Sequence, residues 1–339
     1  MTRSPPGLIV ATLLAALLAI PGTALAQAVK LKYAEFSPDT EKIHNEVSKH
    51  FVAAVNKEAA GAIEIEMFPN GALGRAPQQQ AQMVLDGVTD FAFVVPSFTP
   101  GRFPESEVFE LPGLFENLKE ATQVYTRLVS SGRLKDYDQY FPVALWGTPP
   151  FSIHARYPIN TIADLKGHKI RGAGVIQIEA LKALGAIPVG LPPTEVAEAL
   201  SRRTIDGATS QPTVVFDFGL DRVTTTHYFV RLGFVPLTIL MNRKKFESLP
   251  KAGQDAIRKF SQDWMANRYI DVYSAYNAEL IKRMESDPKR KVVMPSAQDH
   301  QAASAVFEPL ITGWIAKSPR NAEVFKMVKA EIELVRSGK

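Results

Sequence analysis

The sequence of 339 residues contains no cysteine. That removes disulfide staples, thiol nucleophiles, Cys-ligated zinc and iron–sulfur clusters. Histidine is scarce: the six fall at 44, 50, 154, 168, 227 and 300, and none stands in HExxH or another metal-ligand spacing. All six read as structural or surface residues. No GxSxG elbow occurs, and no pattern joins Ser and Asp to a His as a triad. Beyond the first segment no apolar run approaches the roughly 18 residues of a membrane span. An excess of one charge is also missing: 39 Lys and Arg face 35 Asp and Glu, for a net charge of +4. The densest basic run, Lys289-Arg290-Lys291, is too short to serve as a nucleic-acid footprint. These absences argue against an enzyme and against resident metals or cofactors.

What is present is apolar. Hydrophobic residues make up 46% of the chain, enough for packed cores and too many for disorder. The length suggests roughly two domains of about 150 residues. The N-terminus carries a separate message. Arg3 precedes the apolar run LIVATLLAALLAI, Pro21-Gly22 breaks it, and Ala24-Leu25-Ala26 forms a small-x-small site. That is the order of a secretory signal peptide. It predicts export, cleavage after Ala26, and a soluble mature chain.

Along the mature chain, hydrophobic periods and turn residues predict strands near 29–35, 63–68 and 90–95, with helices over 41–58 and 78–85 between them. A helix over about 118–130 follows. From about 139 a second unit repeats the plan, with strands at 139–146, 152–155, 169–171, 187–189 and 204–208 and helices over 175–184 and 194–200. A short echo links the halves. IEIEMF, QQQAQMVLDG and VTDFAFV run strand, helix, strand, as do IPVGL, TEVAEALSRR and TIDGATS. Such β–α–β units imply mostly parallel sheets in two lobes facing across a cleft. From 251 to 287 no breaker follows Gly253, which predicts one helix of about 34 residues, or about 50 Å, or else two helices with a break near Asn267.

Arg171-Gly172-Ala173-Gly174 follows a strand and opens a helix. A dinucleotide loop would need a third glycine where Gln177 stands, and an exported protein meets little dinucleotide. The same turn suits a small anion, because free backbone N–H groups and the positive end of a helix converge there. Arg171, at the strand's end, can hold a carboxylate with two parallel hydrogen bonds or make a structural ion pair.

Several segments resemble one family. These are DLKGHKIR (164–171), ALGAIPVGLPPTEVAEAL (183–200), IDGA (205–208), FPNGALG (68–74), ELPGLFEN (110–117) and MNRKKFESLP (241–250). In this order and over nearly the whole mature chain they are similar to the DctP-like solute-binding proteins of TRAP (tripartite ATP-independent periplasmic) transporters. The resemblance implies an α/β, periplasmic-binding-protein-like fold of two lobes with mixed, mostly parallel sheets, joined by a long helix in the C-terminal third. It implies a periplasmic receptor that closes on an organic acid and delivers it to the small and large membrane subunits of a permease, with Arg171 as the carboxylate anchor. Expected boundaries are 27–150 for the first lobe, with about 237–270 returning to it, and 151–236 for the second, with about 271–339 added. A monomer is expected.

Departures from the sialate and C4-dicarboxylate members point to a monocarboxylate, aromatic or 2-oxo/hydroxy. Those members often carry a second Arg a few residues before an RPI-like turn; here Pro149-Pro150-Phe151 precede Tyr157-Pro158-Ile159. An acidic residue of the sialate type would fall near Val95. Expected cleft residues besides Arg171 are Phe36, Phe98, Phe151 and Phe216 for stacking, Ser97, Ser210 and Gln211 for hydrogen bonds, and Arg231 as a second anion contact. Each has a plainer alternative in core packing, turn capping or surface charge. The rival readings are a C4-dicarboxylate receptor, which would need Arg231 in the pocket, and a secreted enzyme acting on a carboxylate.

Overall fold

The computed structural model describes residues 27–338. The export signal expected at 1–26 lies outside the described residues. The first lobe begins with β1 (Val29–Ala34), α1 (Lys49–Glu58), β2 (Ile63–Phe68), α2 (Gln80–Leu85) and β3 (Phe91–Val94). It continues with α3 (Leu118–Ser130) and β4 (Tyr140–Gly147). The second lobe then runs through β5 (Ser152–Ala155), β6 (Lys169–Gly172), α4 (Val175–Ala183), β7 (Ile187–Gly190) and α5 (Pro193–Ser201). It closes with β8 (Gly207–Ser210), α6 (Pro212–Asp217) and β9 (Thr226–Tyr228). The chain next returns to the first sheet as β10 (Pro236–Asn242), followed by α7 (Arg243–Glu247), α8 (Lys251–Lys259) and α9 (Asp263–Ser286). It ends with β11 (Lys291–Val293), α10 (Ala297–Ala316) and α11 (Pro319–Arg336).

The first sheet has the order β2-β1-β3-β10-β4 and the second β11-β9-β5-β8-β6-β7. In the first, β1 pairs parallel with β2 and β3, while β10 runs antiparallel to β3 and β4. In the second, β6 lies parallel to β7 and β8, and β5 antiparallel to β8 and β9. The β–α–β halves are therefore parallel, and each sheet gains antiparallel members where the chain crosses between lobes. The two crossings touch. Thr148 N donates to Val235 O at 3.2 Å, Phe151 N to Gly233 O at 2.9 Å and Leu232 N to Phe151 O at 3.0 Å. Gly233 has φ +94, and a Cβ there would lie 2.1 Å from the Glu110 carbonyl oxygen, so only glycine passes.

One helical expectation needs correction. The segment from 251 is two helices, and the break lies at 260–262, not near Asn267. Gln262 takes φ 52 and ψ −108, and its N–H donates to Val143 O on β4 at 2.6 Å. The strand diverts an amide that the helix would otherwise have used. What remains, α9, has 24 residues and reaches about 36 Å. It still touches both lobes. Trp146 on β4 stacks on Tyr269 at 5.0 Å, and Tyr276 OH donates to Asp217 Oδ1 on α6 at 2.6 Å.

The last helix packs on the first lobe, although the sequence reading added all of 271–339 to the second. Buried Glu331 accepts from Arg127 at 3.2 Å and Arg133 at 2.7 Å, and Glu105 accepts from Arg320 at 2.8 and 2.9 Å. Val324, Val328 and Ile332 join the core built on α3. No helix among the described residues is long and apolar enough to cross a membrane.

Candidate ligand cleft

Between the lobes lies a cleft of about 520 Å³, its mouth included, lined by residues of both sheets and their connecting segments. Arg171 enters it from β6, where it pairs with Val189 of β7 on one side and Ala208 of β8 on the other. The residue is only 2% exposed. Nε donates to Leu191 O at 2.7 Å and Nη1 to Thr209 O at 3.0 Å, which fix the plane of the fork. Nη2 has no partner. Among the described residues no carboxylate pairs with this guanidinium, and burial alone pulls its pKa down to about 9. A buried cation without a counter-charge is expensive unless something anionic completes it.

The turn after Arg171 is held from beneath. Gln177, which stands where a dinucleotide loop has glycine, accepts from Ala173 N at 3.1 Å and from Thr209 Oγ1 at 2.6 Å. Ser210 and Gln211, at the end of β8, also line the cleft, and Ser210 Oγ and Gln211 Oε1 have no partners. Behind Ser210 runs a chain of hydrogen bonds. His154 Nε2 lies 3.2 Å from Ser210 O, His154 Nδ1 lies 2.8 Å from His227 Nδ1, and His227 Nε2 lies 3.4 Å from Arg290 Nη1. One neutral assignment satisfies all three: Arg290 donates to His227, His227 to His154, and His154 to the Ser210 carbonyl. Burial pushes both imidazoles down, His227 to about 4, so both are neutral at physiological pH.

The opposite wall is aromatic and aliphatic. Phe36 stacks on Phe93 at 5.3 Å with 17° between the rings. Phe98 and Phe151 complete this face beside Val95, Val235 and Leu237. Val95 adds to the apolar surface of this wall. The other polar groups of the wall are Thr148, Glu41 and Tyr273. Glu41 is buried just ahead of the π-helical turn His44–Ser48 that leads into α1, and its Oε2 has no partner. Burial, above all, pushes its carboxyl up to about 8. The Tyr273 hydroxyl, projecting from α9, also lacks a partner.

The expected site residues divide. Arg171, Phe36, Phe98, Phe151, Ser210 and Gln211 converge on the cleft. Ser97 lies beside it in the seam between lobes, donating to Glu110 Oε1 at 2.6 Å. Phe216 does not line the cleft; the guanidinium of Arg283 covers its ring at 4.3 Å, and Phe218 takes the lining position. Arg231 is exposed and borders grooves on the outer surface. The residues that sequence reasoning missed are chiefly Glu41 and Tyr273. A carboxylate in the first turn of a helix looks like an ordinary dipole partner. Tyr273 falls one place off the Tyr269, Val272, Tyr276 stripe read from the sequence.

A two-lobe α/β frame with a cleft between the lobes and an unpaired buried guanidinium lining it suits a binding protein. Comparison with known proteins places the chain in a family. Residues 33–318 match the model of the bacterial extracellular solute-binding proteins, family 7 (DctP), and the chain belongs to that family. Its members are receptors, not enzymes. A relative in Haemophilus influenzae, uncharacterized, is 27% identical over 297 residues, 83% of this chain and 89% of that protein. The C4-dicarboxylate-binding periplasmic protein DctP of Rhodobacter capsulatus is 26% identical over 76% of this chain and 78% of its own. Among solved structures, a marine metagenome TRAP solute-binding protein specific for aromatic acid ligands, in complex with 3-hydroxybenzoate, superposes with a TM-score of 0.86. It is 29% identical and covers 91% of this chain and 99% of its own. A TRAP solute-binding protein from Rhodoferax ferrireducens with copurified benzoate gives 0.80 at 26% identity, covering 91% and 98%.

Proposed function

We propose that this chain is the periplasmic receptor of a TRAP transporter, exported by cleavage after Ala26 and acting as a monomer. It takes up an organic monocarboxylate, an aromatic or 2-oxo/hydroxy acid, and hands it to the small and large permease subunits. The observation that carries the reading is the buried Arg171 fork. Two of its nitrogens, Nε and Nη1, donate to carbonyls, the third, Nη2, has no partner, and among the described residues no carboxylate neutralises it. A ligand carboxylate supplies the missing charge, with Ser210 and Gln211 beside it. The phenylalanine wall covers the remainder, at about 25 cal/mol per Å² of apolar surface buried. Similarity to receptors of benzoate and 3-hydroxybenzoate supports the aromatic class. The dicarboxylate alternative lacks its second cation, since Arg231 lies outside the cleft.

A thermal-shift screen over aliphatic, aromatic and 2-oxo acids finds the class, because ligand raises the melting temperature with the logarithm of saturation. Calorimetry on Arg171→Ala then tests the anchor. Truncating one partner of a buried charge pair costs at least roughly 2–4 kcal/mol, and unchanged affinity would sink the proposal. A larger shift with succinate than with any monocarboxylate would favour the dicarboxylate rival.

A further inference from the structure

Among the described residues the cleft is lined by one cation and one carboxyl, and they do not pair with each other. Arg171 comes from β6 of the second lobe, and Glu41 from the loop that enters the first helix. Each is buried with an oxygen or nitrogen that has no partner, and no ion pair joins them. Groups of opposite kind in a largely apolar space, left unpaired by the fold, define two poles that one ligand can bridge. At the Glu41 pole stands a second unpartnered group, the Tyr273 hydroxyl. A carboxyl oxygen that accepts, next to a phenol that can donate, matches the two-way bonding of a hydroxyl: its O–H donates to Glu41, and its oxygen accepts from Tyr273. A plain aromatic ring satisfies neither, and leaving such groups desolvated is costly.

We propose that Glu41 and Tyr273 form a hydroxyl-reading subsite, so that the preferred ligand is a hydroxylated aromatic monocarboxylate, its carboxylate on Arg171 and its hydroxyl between Glu41 and Tyr273. This rests on the carboxylate-receptor reading above and adds the specificity of the far end. Discrimination by a site built to bond a hydroxyl is large, because the unhydroxylated analogue strands its buried partners.

The test is calorimetry with benzoate, 3-hydroxybenzoate and 4-hydroxybenzoate on the wild type, Glu41→Leu, Glu41→Gln and Tyr273→Phe. The wild type is expected to bind at least one hydroxybenzoate roughly tenfold or more tighter than benzoate. Glu41→Leu should erase that preference while keeping or improving benzoate affinity. Glu41→Gln, nearly isosteric, retains an accepting oxygen and guards against misfolding of the leucine variant. Tyr273→Phe should lower the preference without abolishing it. Benzoate bound through Arg171 as tightly as both hydroxybenzoates would overturn the subsite and leave the receptor reading standing. An unchanged ratio in folded Glu41→Leu, or in Tyr273→Phe should the leucine variant fail to fold, would overturn it equally. If no monocarboxylate binds and Arg171→Ala changes nothing, the underlying reading fails and this one with it.

Discussion

Gly174→Ala separates closing from folding. Gly174 is the residue before α4 in the second lobe, with φ −143 and ψ −178, extended backbone that alanine adopts freely. Its surroundings come from the other lobe. A Cβ would sit 2.7 Å from Glu110 Oε2 and 2.9 Å from Ser97 Cβ. Unstrained contacts begin near 3.5 Å, so the lobes must part by roughly 0.6–0.8 Å at this point. The Glu110 side chain cannot easily swing aside, being buried and held by Ser97 at 2.6 Å. Overpacking of this kind costs about 1–3 kcal/mol. The cost falls on the closed state alone, and at about 1.4 kcal/mol per decade it weakens binding roughly 5- to 150-fold. Isothermal calorimetry with the ligand from the thermal-shift screen measures it. Small-angle scattering should give the unliganded dimensions of the wild type, and the unliganded melting temperature should hold. Gly174→Val should be worse. Unchanged affinity in the alanine variant would refute the claim that this seam closes on ligand binding. A large fall in unliganded stability would show the contact to be part of the fold and not of a moving joint.

Two further outcomes concern pH. Burial pushes the carboxyls of Glu41 and Glu110 up to about 8 each. Glu41 faces Ser37, Glu35, Asp217, Tyr269 and Tyr273, and Glu110 faces Ser97 and Glu107, so no cation holds either ionised. A raised carboxyl pKa favours the protonated, closed form, and that contribution is lost as pH rises through 8. Ligand affinity should therefore fall from about pH 5 to 8 and level off above, with uptake of up to about one proton per group inside that window, read by calorimetry in buffers of different ionisation enthalpy. Binding independent of pH over that range would contradict it. The His154–His227 pair works at the acid end. Its pKa values lie below the ordinary range, so its stability contribution is present above about 6.5 and lost as pH falls toward 4. The melting temperature should drop over that window, and less steeply in His227→Gln.

The legible parts of the molecule were those set by local chemistry. The helix Leu118–Ser130 falls where it was expected because Asn117 caps it, accepting from Glu120 N at 3.0 Å, and its apolar stripe is regular. Arg171 was found because a strand end, a glycine turn and a helix start are contiguous in sequence. The parts that stayed hidden depend on distant neighbours. The break at Gln262 needs the Val143 carbonyl, more than a hundred residues away. The packing of α11 on the first lobe is fixed by Glu105, Glu120 and Glu331, whose arginine partners lie elsewhere in the chain. Glu41 looked like any carboxylate at a helix start until the second lobe and α9 enclosed it. Phe216 and Phe218 are two apart on one short segment, and only the position of Arg283 decides which of them faces the ligand.

The cleft's unsatisfied groups also explain how a receptor of this kind would stay open without ligand. In this structure an Arg171 nitrogen, the Ser210 hydroxyl, a Gln211 oxygen, a Glu41 oxygen and the Tyr273 hydroxyl are buried without protein partners. Each orphaned buried polar group costs about 1–3 kcal/mol, more where it is charged. Exposing the cleft lets water meet them, so the free protein should favour the open form. A carboxylate on Arg171 removes the largest of these costs at one stroke, and a far-end hydroxyl removes two more. The apparent affinity is then the intrinsic affinity for the closed form reduced by its small unliganded population. Mutations that relieve the orphans without ligand, such as Tyr273→Phe, should raise that population. Such a variant gains closure while losing a contact, and its net effect on binding measures which is larger.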